Sequence, residues 1–118
     1  MIVVYGLKNC DSCREALSLL KAGDAAHRFH DLRADGLPTG RLAHWLGRVG
    51  WEVLLNRRST TWRQLPEAEK VGVDAAAAAR LLERHPTLIK RPVIEAGGTL
   101  LVGFAPPQRE ALKALAGA

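Results

Sequence analysis

Cys10 and Cys13 carry the most reactive chemistry available to this 118-residue chain, and they are its only cysteines. Two residues separate them, and the pair admits three readings. Free cysteines are frequently buried and inert, acting as small hydrophobes. A zinc site would need further ligands, and His27 and His30 complete a nominal Cys₂His₂ set. Those histidines are spaced more tightly than zinc ligands of this kind, and residues three apart on a strand face opposite sides. Thiol redox chemistry is the reading that the placement favours, because Cys-x-x-Cys falls where a strand gives way to a helix. An exposed nucleophile with a shielded thiol one turn behind it is what a dithiol redox site requires.

The elements that must hold these thiols follow from the pattern around them. Ile2, Val3, Val4 and Tyr5 form a short apolar run that predicts a buried strand. Cys13, Ala16, Leu17 and Leu20 recur at i, i+3, i+4 and i+7, one face of a helix, and Gly23 stands where a C′ glycine is expected. Cys10 therefore lies at or next to the helix N-cap, where unpaired N–H groups and the dipole favour a thiolate. Lys8 and Arg14 add positive charge, so a lowered Cys10 pKa is expected.

Residues 26–32 predict a second strand, parallel to the first because a helix connects them. Thr39 is a candidate cap for a helix over residues 40–49, striped by Leu42, Trp45, Leu46 and Val49 and ended by Gly50. Short helical turns are expected at 51–55, near Ser59 and after Pro66. Asp74 should cap the alanine-rich helix that His85-Pro86 ends. Two strand-like stretches, 87–96 and 99–104, flank Gly97-Gly98 as in a hairpin, and Pro106-Pro107 opens a last helix. This order, β-α-β, a block of helices, then β-β-α, predicts an α/β chain with a thioredoxin-like fold. Its mixed four-stranded sheet would belong to a single domain over 1–118, with a central helical insertion at roughly 39–85. In such a fold Arg91-Pro92, at the start of the third strand, would face the cysteine helix with a cis peptide bond. Trp45, Trp51 and Trp62 read as packing residues of the helical block.

Composition narrows the function classes. Hydrophobic residues make up 47% of the chain and charged ones 25%, as in an ordinary globular protein. No apolar run approaches a membrane span, and the apolar opening is too short for a signal peptide, so no membrane partner is expected. Two cysteines are too few for a secreted disulfide scaffold, which argues for a reducing, cytoplasmic setting. The net charge of +5 favours anionic partners. Without a recognition motif or an aromatic-interleaved basic run, direct nucleic-acid binding is not expected. A monomer is the default.

Several stretches together resemble the arsenate-reductase-like family, which spans ArsC-type reductases, Spx-type regulators and YffB-type proteins. They are Tyr5-Gly6-Leu7-Lys8-Asn9-Cys10-Asp11, Phe29-His30-Asp31-Leu32-Arg33-Ala34-Asp35-Gly36, Gly50-Trp51-Glu52-Val53-Leu54-Leu55-Asn56-Arg57-Arg58-Ser59-Thr60-Thr61-Trp62-Arg63 and Leu88-Ile89-Lys90-Arg91-Pro92. The second and third look most like the YffB branch. The resemblance implies that Cys10 is the nucleophile and Cys13 a resolving thiol. It implies that Arg91 and either Arg57 or Arg58, with Arg58 the better match, bind the anionic substrate, beside Asn9 and Pro92. It implies a glutathione-linked thiol reductase with no bound cofactor, using glutathione as co-substrate and glutaredoxin as a candidate partner. Two alternatives come with it. The wording Cys10-Asp11-Ser12-Cys13-Arg14 resembles the redox switch of Spx-type regulators, which dock on RNA polymerase. An arsenate reductase proper would carry a third arginine after the last strand, where this chain has Gly103 and Phe104. Neither side chain can supply a guanidinium's bidentate fork, so arsenate is the less favoured substrate.

Overall fold

The computed structural model describes residues 1–117. A four-stranded sheet in the order β2-β1-β3-β4 comprises β1 (Ile2–Gly6), β2 (His27–Asp31), β3 (Val93–Ala96) and β4 (Thr99–Val102). β1 runs parallel to β2, pairing Tyr5 with His30, and antiparallel to β3, pairing Tyr5 with Val93. β3 and β4 form the antiparallel hairpin around Gly97-Gly98, with Ala96 opposite Thr99. The mixed sheet and the thioredoxin-like fold are as expected.

The chain divides into two compact units, residues 1–35 with 91–117, and residues 36–90. In the first, α1 (Asp11–Ala22) and α7 (Pro106–Gly117) pack on one face of the sheet. The core there is Ile2, Val4 and Ile94 from the strands, Ala16 and Leu20 from α1, and Leu112 and Ala116 from α7. Burial of each large aliphatic side chain in such a core contributes about 1.5–3 kcal/mol. The Schellman motif at the end of α1 differs from expectation. Asp24, at φ +52, holds the left-handed C′ position, while Gly23 is the C-cap at φ −83. Ala25 N–H donates to the Leu20 carbonyl and Asp24 N–H to that of Lys21. Gly23 lets α7 approach closely, because a Cβ there would stand 3.3 Å from that of Ala116 and force a small shift.

The second unit is helical: α2 (Arg41–Val49), α3 (Trp51–Leu54), α4 (Thr60–Gln64), α5 (Glu67–Lys70), α6 (Ala75–Arg84) and a 3-10 turn (Pro86–Leu88). Trp45 of α2 is fully buried, as are Leu54, Ala78, Leu82 and Leu88. Asp74 caps α6 by accepting from Ala77 N–H at 2.9 Å, and Ser59 caps α4 by accepting from Trp62 N–H at 3.1 Å. Thr39 does not cap α2. Gly40, at φ +82, occupies the N-cap instead, one residue beyond the reach assigned to the threonine. Nor is 87–92 part of a long third strand. Pro86 starts the 3-10 turn, and Ile89 then makes an isolated antiparallel bridge with Leu55. Lys90 N–H donates to Leu54 O at 2.7 Å and Asn56 N–H to Leu88 O at 2.9 Å, so this stretch closes the helical unit. No helix among the described residues is long and apolar enough to cross a membrane.

Candidate active site

Strand β1 ends at Gly6, and a turn through Lys8 and Asn9 delivers Cys10 to the N-cap of α1. The Cys10 backbone is extended (φ −113, ψ 118), and its carbonyl accepts from Arg14 N–H at 3.0 Å. Its side chain does not cap the helix, which leaves the sulfur available. Cys10 is half-buried, whereas Cys13, one turn further, is 1% exposed. Both are free thiols.

Gly6 explains how Cys13 fits. A Cβ built on this glycine would collide with the Cys13 sulfur and stand 3.3 Å from its Cβ. The second thiol is therefore packed against bare backbone at the end of β1, an approach only glycine allows. Nothing in the cysteine spacing points to this role for Gly6.

The two thiols have opposite electrostatic environments. Partial burial works against a Cys10 thiolate, but the Cys13 backbone N–H, the Cys13 thiol and the Arg91 guanidinium all hydrogen-bond to it. Arg91 also adds its charge, and the Cys10 pKa falls below that of an ordinary thiol. Burial pushes Cys13 the other way, up to about 12, against a hydrogen bond from Leu7 N–H and with the neighbouring Cys10 adding to the rise. One sulfur is shifted toward the thiolate, while the other keeps its proton at neutral pH.

Arg91 lies immediately before Pro92, and the Arg91–Pro92 peptide bond is cis. Pro92 is buried, and its carbonyl accepts from Gly103 N–H at 2.8 Å, fixing the entry to β3 against the end of β4. Asn9 is exposed beside Cys10 and makes no side-chain hydrogen bond among the described residues. Asp31, at the end of β2, is a buried residue that the sequence did not single out. It accepts from Arg33 N–H at 2.8 Å and Ala34 N–H at 3.0 Å, and its own N–H donates to Asp35. The Ala34 N–H lowers its pKa most; the Arg33 N–H and the charges of Lys8 and Arg33 add to this against the effect of burial. Asp31 thus ties the loop after β2 to the charge of the cysteine loop. An aspartate followed by a Gly-containing turn was the available signal.

His27 and His30 do not converge on the cysteines. His27 Nδ1 donates to the Ala25 carbonyl at 2.8 Å, and the His30 ring lies 5.2 Å from that of Tyr5. Tyr5 in turn donates to Glu95 at 2.9 Å. Among the described residues no group of three or more His, Cys, Asp or Glu could hold a metal ion.

In the helical unit, Asn56 organises the turn that carries both candidate arginines. Its Oδ1 accepts from Arg58 N–H at 3.1 Å, and its carbonyl accepts from the Ser59 hydroxyl at 2.9 Å. Arg57 lies 5.8 Å from the ring centroids of both Trp51 and Trp62. Those two tryptophans are thus only partly buried and serve the arginine, unlike the fully buried Trp45. The Arg58 side chain has no ion pair or ring contact among the described residues. Both arginines line one cleft of this unit, with Lys90.

A thioredoxin-like sheet presenting an activated N-cap cysteine, a buried second thiol and an arginine before a cis-proline defines a class of thiol-redox fold. Within that class, residues 5–112 match the ArsC family, and the chain belongs to it. It is 47% identical over 104 residues to an uncharacterized protein of Haemophilus influenzae, an alignment covering 88% of this chain and 91% of the relative. It superposes on the YffB protein with a TM-score of 0.86 at 42% identity, covering 95% of this chain and 98% of the other. An arsenate reductase (ArsC) related protein from Brucella melitensis gives 0.74 at 44% identity, covering 93% and 92%. The global transcriptional regulator Spx 1 of Lactococcus lactis is 29% identical over 109 residues, 88% of this chain and 82% of its own. The family thus includes both arsenate reductase-like proteins and Spx regulators.

Proposed function

We propose that this protein is a thiol-dependent reductase whose nucleophile is Cys10, acting on small anionic disulfides with glutathione as co-substrate. The observation that carries the reading is the convergence on one sulfur of the Cys13 N–H, the Cys13 thiol and the Arg91 guanidinium. The Cys10 thiolate attacks one sulfur of a disulfide, forming a mixed disulfide, and the other half leaves as a thiolate that takes a proton from water. N–H groups at the start of α1 and Arg91 stabilise negative charge at the reacting sulfurs. Cys13 then loses its proton and attacks the Cys10 sulfur, which releases the bound half as a thiol and leaves a Cys10–Cys13 disulfide. Two glutathione thiols return that disulfide to the dithiol and leave as oxidised glutathione. Arg58 is the second cation we assign to the substrate's negative charge, and Asn9 and Pro92 border the reacting centre.

Intact mass after incubation with oxidised glutathione tests this reading in wild type, Cys10→Ser and Cys13→Ser. An adduct of one glutathionyl group should accumulate in Cys13→Ser, be absent in Cys10→Ser and resolve in wild type. Failure of Cys10 to be modified at neutral pH in any variant would reject it. The second reading, an Spx-like redox-sensitive regulator binding RNA polymerase, is favoured by the paired thiols and by the similarity to Spx 1. It predicts no turnover, with polymerase binding that changes when the Cys10–Cys13 disulfide forms. Arsenate turnover would require Arg58 and Arg91 to suffice without an arginine near Gly103 and Phe104.

A further inference from the structure

The cleft of the helical unit bordered by Trp51, Arg57, Arg58 and Lys90 has a volume of about 660 Å³. Several cations elsewhere on the surface are paired: Arg14 with Asp11, Arg84 with Glu69, Arg109 with Glu15, Lys70 with Glu67 and Lys113 with Glu110. The cleft on the other unit lined by Asp11, Arg14, Glu15 and Arg109 has its charges matched in this way. Arg57, Arg58 and Lys90 are brought together in one cleft. Among the described residues none of the three has a carboxylate partner, although Glu52 lines the same cleft. Three like charges facing one concavity repel one another, and an anion there removes that cost.

Two further features say what sort of anion. The volume is that of a small-molecule site, far more than a lone oxyanion fills. The Arg57 guanidinium carbon lies 5.8 Å from the ring centroids of both Trp51 and Trp62, within cation–π range of each, which favours a planar guanidinium at this place over an ammonium. The Asn56 turn fixes the backbone of Arg58 beside it. Two guanidinium groups and an ammonium lining one cleft suit separate anionic groups on one molecule, with the Trp51 ring offering it an apolar wall.

We infer that this cleft binds a small organic molecule bearing at least two anionic groups, carboxylates or phosphates, through Arg57, Arg58 and Lys90. The inference goes beyond the reductase reading, with which it shares only Arg58, and concerns the helical unit by itself. Binding to the cleft itself does not require the Cys10 sulfur to react.

The test is isothermal titration of the full chain carrying Cys10→Ser. The probes are S-methylglutathione, with two carboxylates and no reactive sulfur, ADP as the phosphate-bearing alternative, and inorganic phosphate as a simple oxyanion. One organic probe should bind more tightly than inorganic phosphate, and which one names the source of the anionic groups. Arg57→Gln and Lys90→Gln should each weaken it by about tenfold. Arg57→Lys, which keeps the charge but not the planar guanidinium, should weaken it too, with melting curves confirming that each variant is folded. Binding of inorganic phosphate as tight as either organic probe, or organic binding insensitive to Arg57 and Lys90, would overturn the inference, as would no binding at all. Glutathionylation of Cys10 in the mass experiment judges the reductase reading separately.

Discussion

Arg91 and Cys13 act on the same sulfur, and that can be dissected side chain by side chain. With the Cys13 pKa pushed up to about 12, alkylation by iodoacetamide through the neutral and mildly alkaline range reports Cys10 alone. Arg91→Gln removes a hydrogen bond and a positive charge from the thiolate, so the midpoint of the alkylation–pH curve should rise toward the ordinary thiol value near ~8.5. Arg91→Lys should restore part of the shift. A midpoint unchanged in Arg91→Gln would leave the Cys13 N–H and thiol as the groups that lower it. Gly6→Ala tests the other thiol. Its methyl group would collide with the Cys13 sulfur, and such overpacking costs about 1–3 kcal/mol, seen as a lowered urea midpoint. Combined with Cys13→Ala the loss should be smaller than the two single losses added, because the collision is removed. Cys10 and Cys13 were legible from their type and their place beside a predicted element, whereas Arg91 was singled out only through the family resemblance. Gly6 was not legible, because a close approach between a strand end and a helix is a fact of packing.

Among the elements, the loop after β2 and the caps of the helical unit respond differently to pH and substitution. The folded-state pKa of Asp31 is depressed, chiefly by Ala34 N–H. Its contribution to stability is therefore fully present above the unfolded carboxyl value of about 3.9 and is lost as pH falls through the folded value. Asp31→Asn should melt below wild type at neutral pH, and the difference should shrink on acidification through that window. A gap independent of pH would assign the effect to the turn's geometry alone. Ser59→Ala removes the cap of α4 and the bond to the Asn56 carbonyl, and should cost about 1 kcal/mol by denaturant titration. The caps at Ser59 and Asp74 could be read from residue type and position. Thr39 could not, because the left-handed backbone at Gly40 moves the start of α2 past it. The stretch before Pro92 reads as a strand from its apolar residues, but those residues bridge Leu55 instead of extending β3. Local pattern gives the tendency to extend and leaves the partner to tertiary packing.

At the scale of the whole molecule the relevant quantity is the net charge of +5, with Arg91 beside the nucleophile. A field of this sign raises the encounter rate with anionic disulfides and lowers it with cationic ones, and salt removes both effects. The discriminating comparison is the second-order rate of Cys10 with a dianionic aromatic disulfide and with cystamine, whose two ammonium groups are repelled. Intrinsic reactivity differs between the two reagents, so the informative quantity is how the rate ratio changes with salt. Between about 0.01 and 0.15 M the screening length falls from about 30 to about 8 Å. The ratio should drop across that range as the anionic reagent slows and the cationic one quickens. Arg91→Gln should flatten the dependence without abolishing it, because the remaining charge is spread over the surface. A ratio indifferent to salt in wild type would mean that the basic character of this chain does not guide substrates to Cys10, and the preference for anionic disulfides would then have to arise from contact alone.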